Sequence, residues 1–297
     1  MKLATVEAAS TTVLAAVLEN DVINLTEAWA RAENTPPPVS VSDVILFEPQ
    51  RLSRIKEILK MGAGPVLPPD SFKFVPPHLP QANVFCVGVN YREHAEEGSR
   101  LDSSLKLPDK ATYFSRDSRS FCGAFDDIVV TGGLTSALDW EAELGVIIGR
   151  GGRAIPVSSA INHVFGYVII NDISARDVQM ARGQWFLGKN LSRTAPIGPY
   201  VVTTDEITDP QGLELICTVD GIVKQKANTI NMLHCVAEII ADLSHYIELR
   251  PGDIISTGTP SGVGAARQPP EFLQSGSRVE VEISGLGRQS NVIRLGA

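Results

Sequence analysis

Residues 138–148 have the sequence Leu-Asp-Trp-Glu-Ala-Glu-Leu-Gly-Val-Ile-Ile, in which apolar and acidic side chains alternate at the start. Apolar side chains recur at every second position, which is typical of a β-strand. The alternation places Asp139, Glu141 and Glu143 together on the other face. Alternate side chains of one strand lie about 6.5–7 Å apart, so two of these carboxylates can reach one cation. Buried carboxylates need hydrogen bonds, cations or a metal, but a strand with one face in water needs none, and both interpretations stay open here.

The composition is that of a globular protein with a large core. Of 297 residues, 43% are hydrophobic, with 25 glycines and 19 prolines. The formal net charge is −8 and no run of lysine or arginine occurs, which disfavours binding to nucleic acid or to an anionic membrane. The four cysteines lack the CxxC spacing of a zinc site. No apolar run approaches the roughly 18 residues of a membrane span, so we expect a cytoplasmic protein.

The N-terminal quarter of the chain predicts a small α/β appendage. It contains two predicted strands and two predicted helices, at residues 12–18 and 22–25 and at residues 26–34 and 49–61. Six prolines then fall between residues 64 and 80, as in an extended connector. We therefore predict a small N-terminal domain over residues 1–75 and a main domain over residues 76–297.

The main domain is predicted to be rich in β-structure. Strand segments separated by turns recur through residue 290, which favours a β-rich α+β fold over alternating βαβ units. An Asp-Gly pair at residues 220–221 predicts a hairpin. Apolar residues at helical spacing over residues 229–249 predict the clearest helix.

The segment 90–98 contains a candidate catalytic pair. It indicates a turn that enters a short helix ended by glycine. His94 and Glu97 lie three residues apart, so one helical turn places them on the same side. A carboxylate beside an imidazole orients the ring and raises its basicity, as a water-activating base requires. The same residues also fit a solvated acidic helix face, and residues 99–110 after them predict a mobile loop.

Charged residues also follow two later segments. The predicted strand 164–170 leads into Asp172, which is placed either to supply a third metal oxygen or to cap the next short helix. Arg176 in that helix is a candidate cation for a carboxylate of the substrate or of Asp172. Lys189 lies among apolar residues, but most lone lysines are surface residues, so its position alone predicts no role.

Residues 251–264 predict a turn, a strand and a glycine-rich loop. No Gly-Lys-Ser/Thr follows, which excludes a P-loop. Backbone N–H groups and Thr259 are suited to bind a carboxylate, although a tight turn also requires glycine. Both interpretations of this loop remain open.

Together these segments resemble the fumarylacetoacetate hydrolase superfamily over residues 80–290. Five motifs occur in the family's order: Val87-Gly88-Val89-Asn90-Tyr91 with His94, Leu138-Asp139-Trp140-Glu141-Ala142-Glu143-Leu144, Asn171-Asp172-Ile173-Ser174-Ala175-Arg176-Asp177-Val178-Gln179, Gly188-Lys189, and Pro251-Gly252-Asp253 with Thr257-Gly258-Thr259-Pro260. The resemblance implies a mixed β-sandwich roll, a homodimer, and one Mg²⁺ or Mn²⁺ ion per subunit.

The resemblance also implies roles for individual residues. The implied metal ligands are Glu141, Glu143 and Asp172. The implied catalytic residues are His94 and Glu97, as a water-activating dyad on a lid turn, and Lys189. The substrate would be held by Lys189 together with Arg116, Arg176, Gln179 and Thr259. The chain departs from the family at Arg116, where many members carry lysine, and at residues 190–193, where Asn-Leu-Ser-Arg replaces the commoner Ser-Phe-Asp. These departures bear on the substrate more than on the reaction type.

The chemistry of such a site is consistent with the resemblance. All-oxygen ligation favours a hard cation over zinc. A 2-oxo acid can chelate a hard cation, and nearby lysine and arginine offset the negative charge. We therefore expect a hydrolase that cleaves a C–C bond in a 2,4-diketo acid, such as an acylpyruvate or fumarylpyruvate, and releases a pyruvate enolate. The alternatives are a 2-oxo acid decarboxylase, an isomerase or hydratase of unsaturated 2-oxo diacids in aromatic catabolism, and a member that binds metal without catalysis.

Overall fold

A computed structural model of the chain describes residues 1–19, 21–46, 50–62, 64–80, 83–101 and 110–296, without the side chains of residues 83 and 98–101. Most of the predicted mobile loop over residues 99–110 lies outside the described residues. The predicted turn residue Asn20 and the predicted helix start at Pro49 also lie outside them.

The first part of the described chain contains four strands and three α-helices. They are β1 (Lys2–Ala8), β2 (Thr11–Leu18), β3 (Asp21–Asn24), α1 (Leu25–Ala32), α2 (Val41–Ile45), α3 (Gln50–Lys60) and β4 (Phe72–Phe74). The middle part carries all the predicted site residues except Thr259. Its elements are β5 (Asn83–Gly88), α4 (Arg92–Leu101), β6 (Thr112–Asp117), β7 (Phe121–Gly123), β8 (Ile128–Val130), β9 (Leu138–Asp139), β10 (Ala142–Ile148), β11 (Val164–Asn171), β12 (Ser174–Ala175), α5 (Arg176–Met180), α6 (Phe186–Lys189), β13 (Ala195–Ile197) and β14 (Val201–Thr203).

The last part of the chain supplies four strands of a second sheet and the 11-residue helix α7. Its elements are β15 (Glu214–Val219), β16 (Ile222–Asn228), α7 (Val236–Tyr246), β17 (Ile254–Ser256), β18 (Arg278–Ile283) and β19 (Gly287–Leu295). Short 3₁₀ turns occur at Pro69–Ser71, Ser118–Ser120, Val157–His163, Thr229–Asn231 and Gly264–Ala266.

Strand β10 lies inside a twelve-stranded sheet with the order β3-β2-β1-β14-β11-β10-β17-β5-β6, to which β4, β7 and β13 are attached. A five-stranded sheet has the order β16-β15-β18-β19-β8. On one face of β10, Leu144 belongs to an apolar cluster that also contains Val281 of the second sheet and Ile240 of α7. On the other face, Ile147 belongs to a cluster with Ile55 of α3. Both faces of β10 are therefore covered, and the β-rich α+β prediction is confirmed.

The N-terminal strands belong to the same sheet as β10. Strand β1, which the sequence pattern did not reveal, pairs with β14 through Lys2 and Val202 and with β2 along its whole length. The first strands thus extend the large sheet through hydrogen bonds. The division at residue 75 stays a prediction.

Two predicted elements are shorter in the structure. The strand expected over residues 138–148 is divided into β9 and β10, because Trp140 and Glu141 leave the ladder where the chain passes from the small β9–β12 pair into the large sheet. The helix expected from residue 229 begins at Val236. The amide of Asn90 binds the backbone N–H and C=O of His234 at 2.8 and 3.1 Å, which holds the preceding residues outside the helix. The hairpin is confirmed as β15–β16. None of the described helices is long and apolar enough to span a membrane.

Candidate metal centre

Three carboxylates converge where β10 begins and β11 ends. Glu141, Glu143 and Asp172 each offer an oxygen within 4.8 Å of the others, and all three side chains are buried. Antiparallel pairing of Ala142 with Asn171 brings the two strand ends together. The hydrogen bond from the Asp172 N–H to the Glu141 carbonyl, at 2.7 Å, continues this pairing past the end of the ladder.

Cations surround two of these carboxylates. The ammonium of Lys189 lies 2.7 Å from Glu141 Oε2 and 2.5 Å from Asp172 Oδ2. Arg176 lies 2.7 Å from Glu141 Oε1, and Arg116 pairs with Asp172. Burial alone would raise the pKa of Glu141, but the nearby Lys189 and Arg176 outweigh it and hold that pKa at about 2. Glu141 is therefore ionised at neutral pH.

Glu143 has a different environment. Its Oε2 accepts hydrogen bonds from Ser256 Oγ at 2.6 Å and from the Gly258 N–H at 2.9 Å. No ion pair among the described residues involves Glu143. Burial, together with the charges of Asp172 and Glu141, raises the pKa of Glu143 well above its ordinary value. This corner of the cluster therefore lacks positive charge.

A divalent cation fits this arrangement. With Asp139, which lies 2.8 Å from Arg176, the cluster contains four carboxylates and three cationic side chains. A dication at Glu143 would offset the charge that this carboxylate carries when it is ionised. The donor set is oxygen only, which suits Mg²⁺ or Mn²⁺ rather than zinc.

The backbone of the glycine-rich loop holds Glu143. Gly258 has a φ of +93°, a conformation that residues with a side chain rarely adopt. A Cβ atom there would lie 2.8 Å from the Cβ of Asn90. Asn90 in turn donates to the Thr257 carbonyl at 2.8 Å. Glycine is therefore required for the loop to present its N–H to the carboxylate.

The predicted dyad is assembled on α4. His94 Nδ1 lies 3.3 Å from Glu97 Oε2, and both side chains are largely but not fully buried. The Gly262 N–H donates to both Glu97 oxygens, at 2.9 and 3.1 Å. The same loop binds Glu143 through the Gly258 N–H, so it joins the dyad to the carboxylate cluster. The carboxylate can only accept, so Nδ1 carries the hydrogen and Nε2 is left as the basic nitrogen.

The other predicted substrate residues lie around the same cluster. Gln179 accepts from Arg176 Nη1 at 3.1 Å. Thr259 Oγ1 donates to the Ala142 carbonyl at 3.1 Å. Arg116 is fully buried and donates to Asp172 and to the Ile173 carbonyl. Its described partners are thus protein groups, and its role toward substrate stays a prediction.

Sequence reasoning missed one residue that holds the site together and misplaced another. Gln225 of β16 is buried, accepts from the Ala142 N–H at 3.0 Å and donates to Thr259 at 2.8 Å. Asp139, expected beside Glu141 and Glu143, instead accepts from Arg176 and from the Gly264 N–H at 2.6 Å. The alternation of the hairpin gives no signal for Gln225, because its partners lie far away in the sequence.

Comparison with known proteins agrees with this geometry. A family model described as fumarylacetoacetate (FAA) hydrolase C-terminal matches residues 83–294. The chain belongs to the fumarylacetoacetate hydrolase family. Oxaloacetate tautomerase FAHD2A, mitochondrial, of Bos taurus is 38% identical over 262 residues, which cover 83% of this chain and 82% of that protein.

Solved structures of the fumarylacetoacetate hydrolase family match the chain along nearly its whole length. A fumarylacetoacetate hydrolase from psychrophilic Exiguobacterium antarcticum has a TM-score of 0.83 and 33% identity, with 99% of each chain covered. A 2-hydroxyhepta-2,4-diene-1,7-dioate isomerase from Mycobacterium marinum has a TM-score of 0.74 and 26% identity, with 99% of this chain and 98% of that chain covered. The predicted family membership is confirmed, and the relatives differ in the reactions that their names describe.

Proposed function

We propose that this protein is a hydrolase that depends on Mg²⁺ or Mn²⁺ and cleaves a C–C bond in a 2,4-diketo acid of the acylpyruvate type. The observation that carries the proposal is the convergence of Glu141, Glu143 and Asp172, together with the glycine-rich loop whose Gly258 N–H binds Glu143 and whose Gly262 N–H binds Glu97 of the dyad. A divalent ion held by the three carboxylates would supply Lewis-acid stabilisation of the enolate that leaves.

The side chains around the carboxylates have separate roles in binding the substrate and activating water. Lys189 and Arg176 offset the charge of the buried carboxylates, which favours entry of an anionic 2-oxo acid. Gln179 and Thr259 are further candidates to orient it. His94 Nε2 takes a proton from water, while Glu97 stabilises the imidazolium through Nδ1. The hydroxyl oxygen bonds to the distal carbonyl carbon, and the C3–C4 bond breaks with its electron pair on C3.

The products follow from the same proton balance. The distal acyl group leaves as a carboxylic acid. The pyruvate enolate takes the proton that His94 received and becomes pyruvate. The dyad therefore returns to its starting state without another reactant.

A second candidate is tautomerisation of oxaloacetate, which the name of the Bos taurus relative describes. It requires the same oxo-acid site and a base that moves a proton at C3, but no attack by water. The two candidates therefore differ in what His94 accepts a proton from.

The test strips the protein with a chelator, restores Mg²⁺ or Mn²⁺, and follows acylpyruvates and oxaloacetate in parallel by NMR. We expect pyruvate and a carboxylic acid from the acylpyruvate. His94→Gln should slow this cleavage about 10²–10⁴-fold and leave metal affinity unchanged. His245→Gln, at an exposed histidine of α7, serves as the matched control. If the acylpyruvate stays intact while oxaloacetate undergoes rapid keto–enol exchange, the hydrolase proposal is rejected in favour of the tautomerase. Loss of CO₂ from oxaloacetate would instead favour a decarboxylase.

We also propose that the protein is a cytoplasmic homodimer. Strongly exposed apolar side chains, such as Met180 and Ile230, offer surface for a second copy. The four cysteines are free thiols, which suits a reducing compartment. Light scattering tests the assembly, because a mass of one 31.9-kDa chain would reject the dimer. Cell fractionation tests the compartment.

A further inference from the structure

A cavity of about 480 Å³ lies along β6, at one end of the strand order of the large sheet. It is lined by residues 112–115 of β6 and by residues 183–186, which lead into α6. Its volume falls within the range of about 300–1,000 Å³ that is usual for small-molecule sites. The metal ligands and the His94–Glu97 pair do not line it, so the chemistry described above leaves it without a role.

One aromatic ring connects this cavity to the site. Phe114 and Arg116 are alternate residues of β6, so their side chains share a face of the sheet. The Lys189 ammonium lies 5.0 Å from the centre of the Phe114 ring and 2.5 Å from Asp172. Phe114 therefore lines the cavity and also contacts the ammonium that pairs with the carboxylate cluster.

Packing holds the aromatic wall in place. Trp185 meets Phe114 edge-on, with the ring centres 5.4 Å apart. A Cβ atom on Gly88 would lie only 2.6 Å from the indole, so glycine lets the tryptophan lie against β5. Asn190, one of the departures from the family pattern, donates to the Phe186 carbonyl at 2.7 Å and to the Ser115 carbonyl at 3.3 Å. This one amide joins the two segments that line the cavity.

The lining favours an uncharged ligand group. Neither lining segment contains a charged residue, and the ammonium of Lys189 is already engaged by Glu141 and Asp172. A carboxylate that entered would lose part of its hydration without gaining a cation. An aromatic ring would instead meet the rings of Phe114 and Trp185.

We propose that this cavity binds the distal acyl substituent of the substrate and selects an aromatic or branched aliphatic group over a carboxylate. The inference rests on the proposed function, because it assigns the distal end of the same 2-oxo acid. It places Phe114 and Trp185 as specificity-determining residues and Asn190 as a positioning residue.

A binding experiment tests the cavity separately from the reaction. The ligand 2-oxo-4-phenylbutanoate has no 4-oxo group and cannot be hydrolysed, and 2-oxopentanedioate carries a carboxylate in place of the ring. Calorimetry on the Mg²⁺-loaded protein should show binding of the phenyl compound at least about tenfold tighter. Trp185→Ala should remove this preference, whereas Tyr246→Ala, at an exposed aromatic residue of α7, should keep it. Equal affinities in the wild type would overturn the proposal.

Two further variants guard against a folding artefact. Phe114→Leu keeps an apolar side chain in the wall and should reduce the preference, while thermal unfolding still shows one cooperative transition. Gln184→Arg adds a cation at an exposed lining position and should raise the affinity for 2-oxopentanedioate at least about fivefold. If Trp185→Ala dissociates a dimer and leaves both affinities unchanged, this aromatic surface is an interface and the proposal is wrong.

Failure of the function and failure of the inference give different results. If no acylpyruvate is cleaved but phenyl binding still depends on Trp185, the hydrolase proposal fails and the cavity assignment stands. If acylpyruvates are cleaved with no dependence on their distal group, and Trp185→Ala changes nothing, only the cavity assignment fails.

Discussion

Replacement of Glu143 by glutamine removes one charge from the metal centre while it keeps the shape of the side chain. Glu143 is 1% exposed, and its two hydrogen bonds come from Ser256 and Gly258 to one oxygen, which the amide oxygen of glutamine can also accept. The fold should therefore survive. The cluster loses the carboxylate that has no ion-pair partner among the described residues, so we expect Glu143→Gln to abolish metal binding.

The size of the effect follows from linkage. A ligand at one hundred times its dissociation constant stabilises the folded state by about 2.7 kcal/mol. With an unfolding entropy of about 2.1 cal/mol/K per residue, 297 residues give roughly 0.6 kcal/mol/K. Saturating Mg²⁺ should thus raise the melting temperature of the wild type by about 4 °C and that of Glu143→Gln by less than about 1 °C.

The assay is thermal unfolding in chelator and in Mg²⁺ or Mn²⁺, together with calorimetric titration of the metal. Glu282→Gln, at an exposed glutamate of β18, is the matched control and should keep the full shift. A Glu143→Gln protein that melts 4 °C higher in Mg²⁺ would refute the assignment of Glu143 as a ligand. A wild type without any shift would refute the metal centre itself.

Three other changes probe the supporting structure. Burial lowers the pKa of His78, so the wild type should lose stability as the pH falls below about 6.5, by at most ~1.4 kcal/mol per pH unit. Urea unfolding between about pH 5 and 7 should show that the free energy of unfolding of His78→Gln depends less on pH, and the same pH dependence in both proteins would contradict this. Gly258→Ala places a Cβ atom against Asn90 at a positive φ, so it should lower the free energy of unfolding by about 1–3 kcal/mol and weaken metal affinity. An unchanged melting curve and an unchanged metal titration would disprove this. Asp139→Asn weakens the 2.8 Å pair with Arg176 and should cost about 1.5–3 kcal/mol in urea unfolding; a neutral substitution would show that Asp139 does not hold this arginine.

The local sequence pattern predicted the elements that carry the site because the chemistry lies at strand ends. Period-two alternation located β10, and the apolar run before Asp172 located β11. The spacing of His94 and Glu97 predicted that they lie on the same side of a helix turn, as the structure shows. The assignment of these residues to catalysis and metal binding stays a prediction.

The local sequence pattern could not predict contacts between segments that lie far apart in the chain. The break at Trp140 and Glu141 reflects hydrogen bonds to Gly262 and Asn171, and alternation continues through the break unchanged. Gln225 lies in an ordinary hairpin, and only the folded chain brings it to Thr259. Strand β1 mixes small and polar residues, and its pairing with β14 is not visible within a local window.

The strand order also has a consequence for synthesis of the chain. Strand β1 can complete its pairing only after β14 has been made, since Lys2 pairs with Val202. Likewise β5 can pair with β17 only after Ile255, the partner of Phe85, has been made. On the ribosome, the first strands therefore remain without these neighbours until most of the polypeptide has emerged. Such non-local pairing slows folding and leaves strand edges unprotected in the nascent chain. We expect efficient production in a host to depend on translation rate and chaperone supply more than on the stability of the finished molecule.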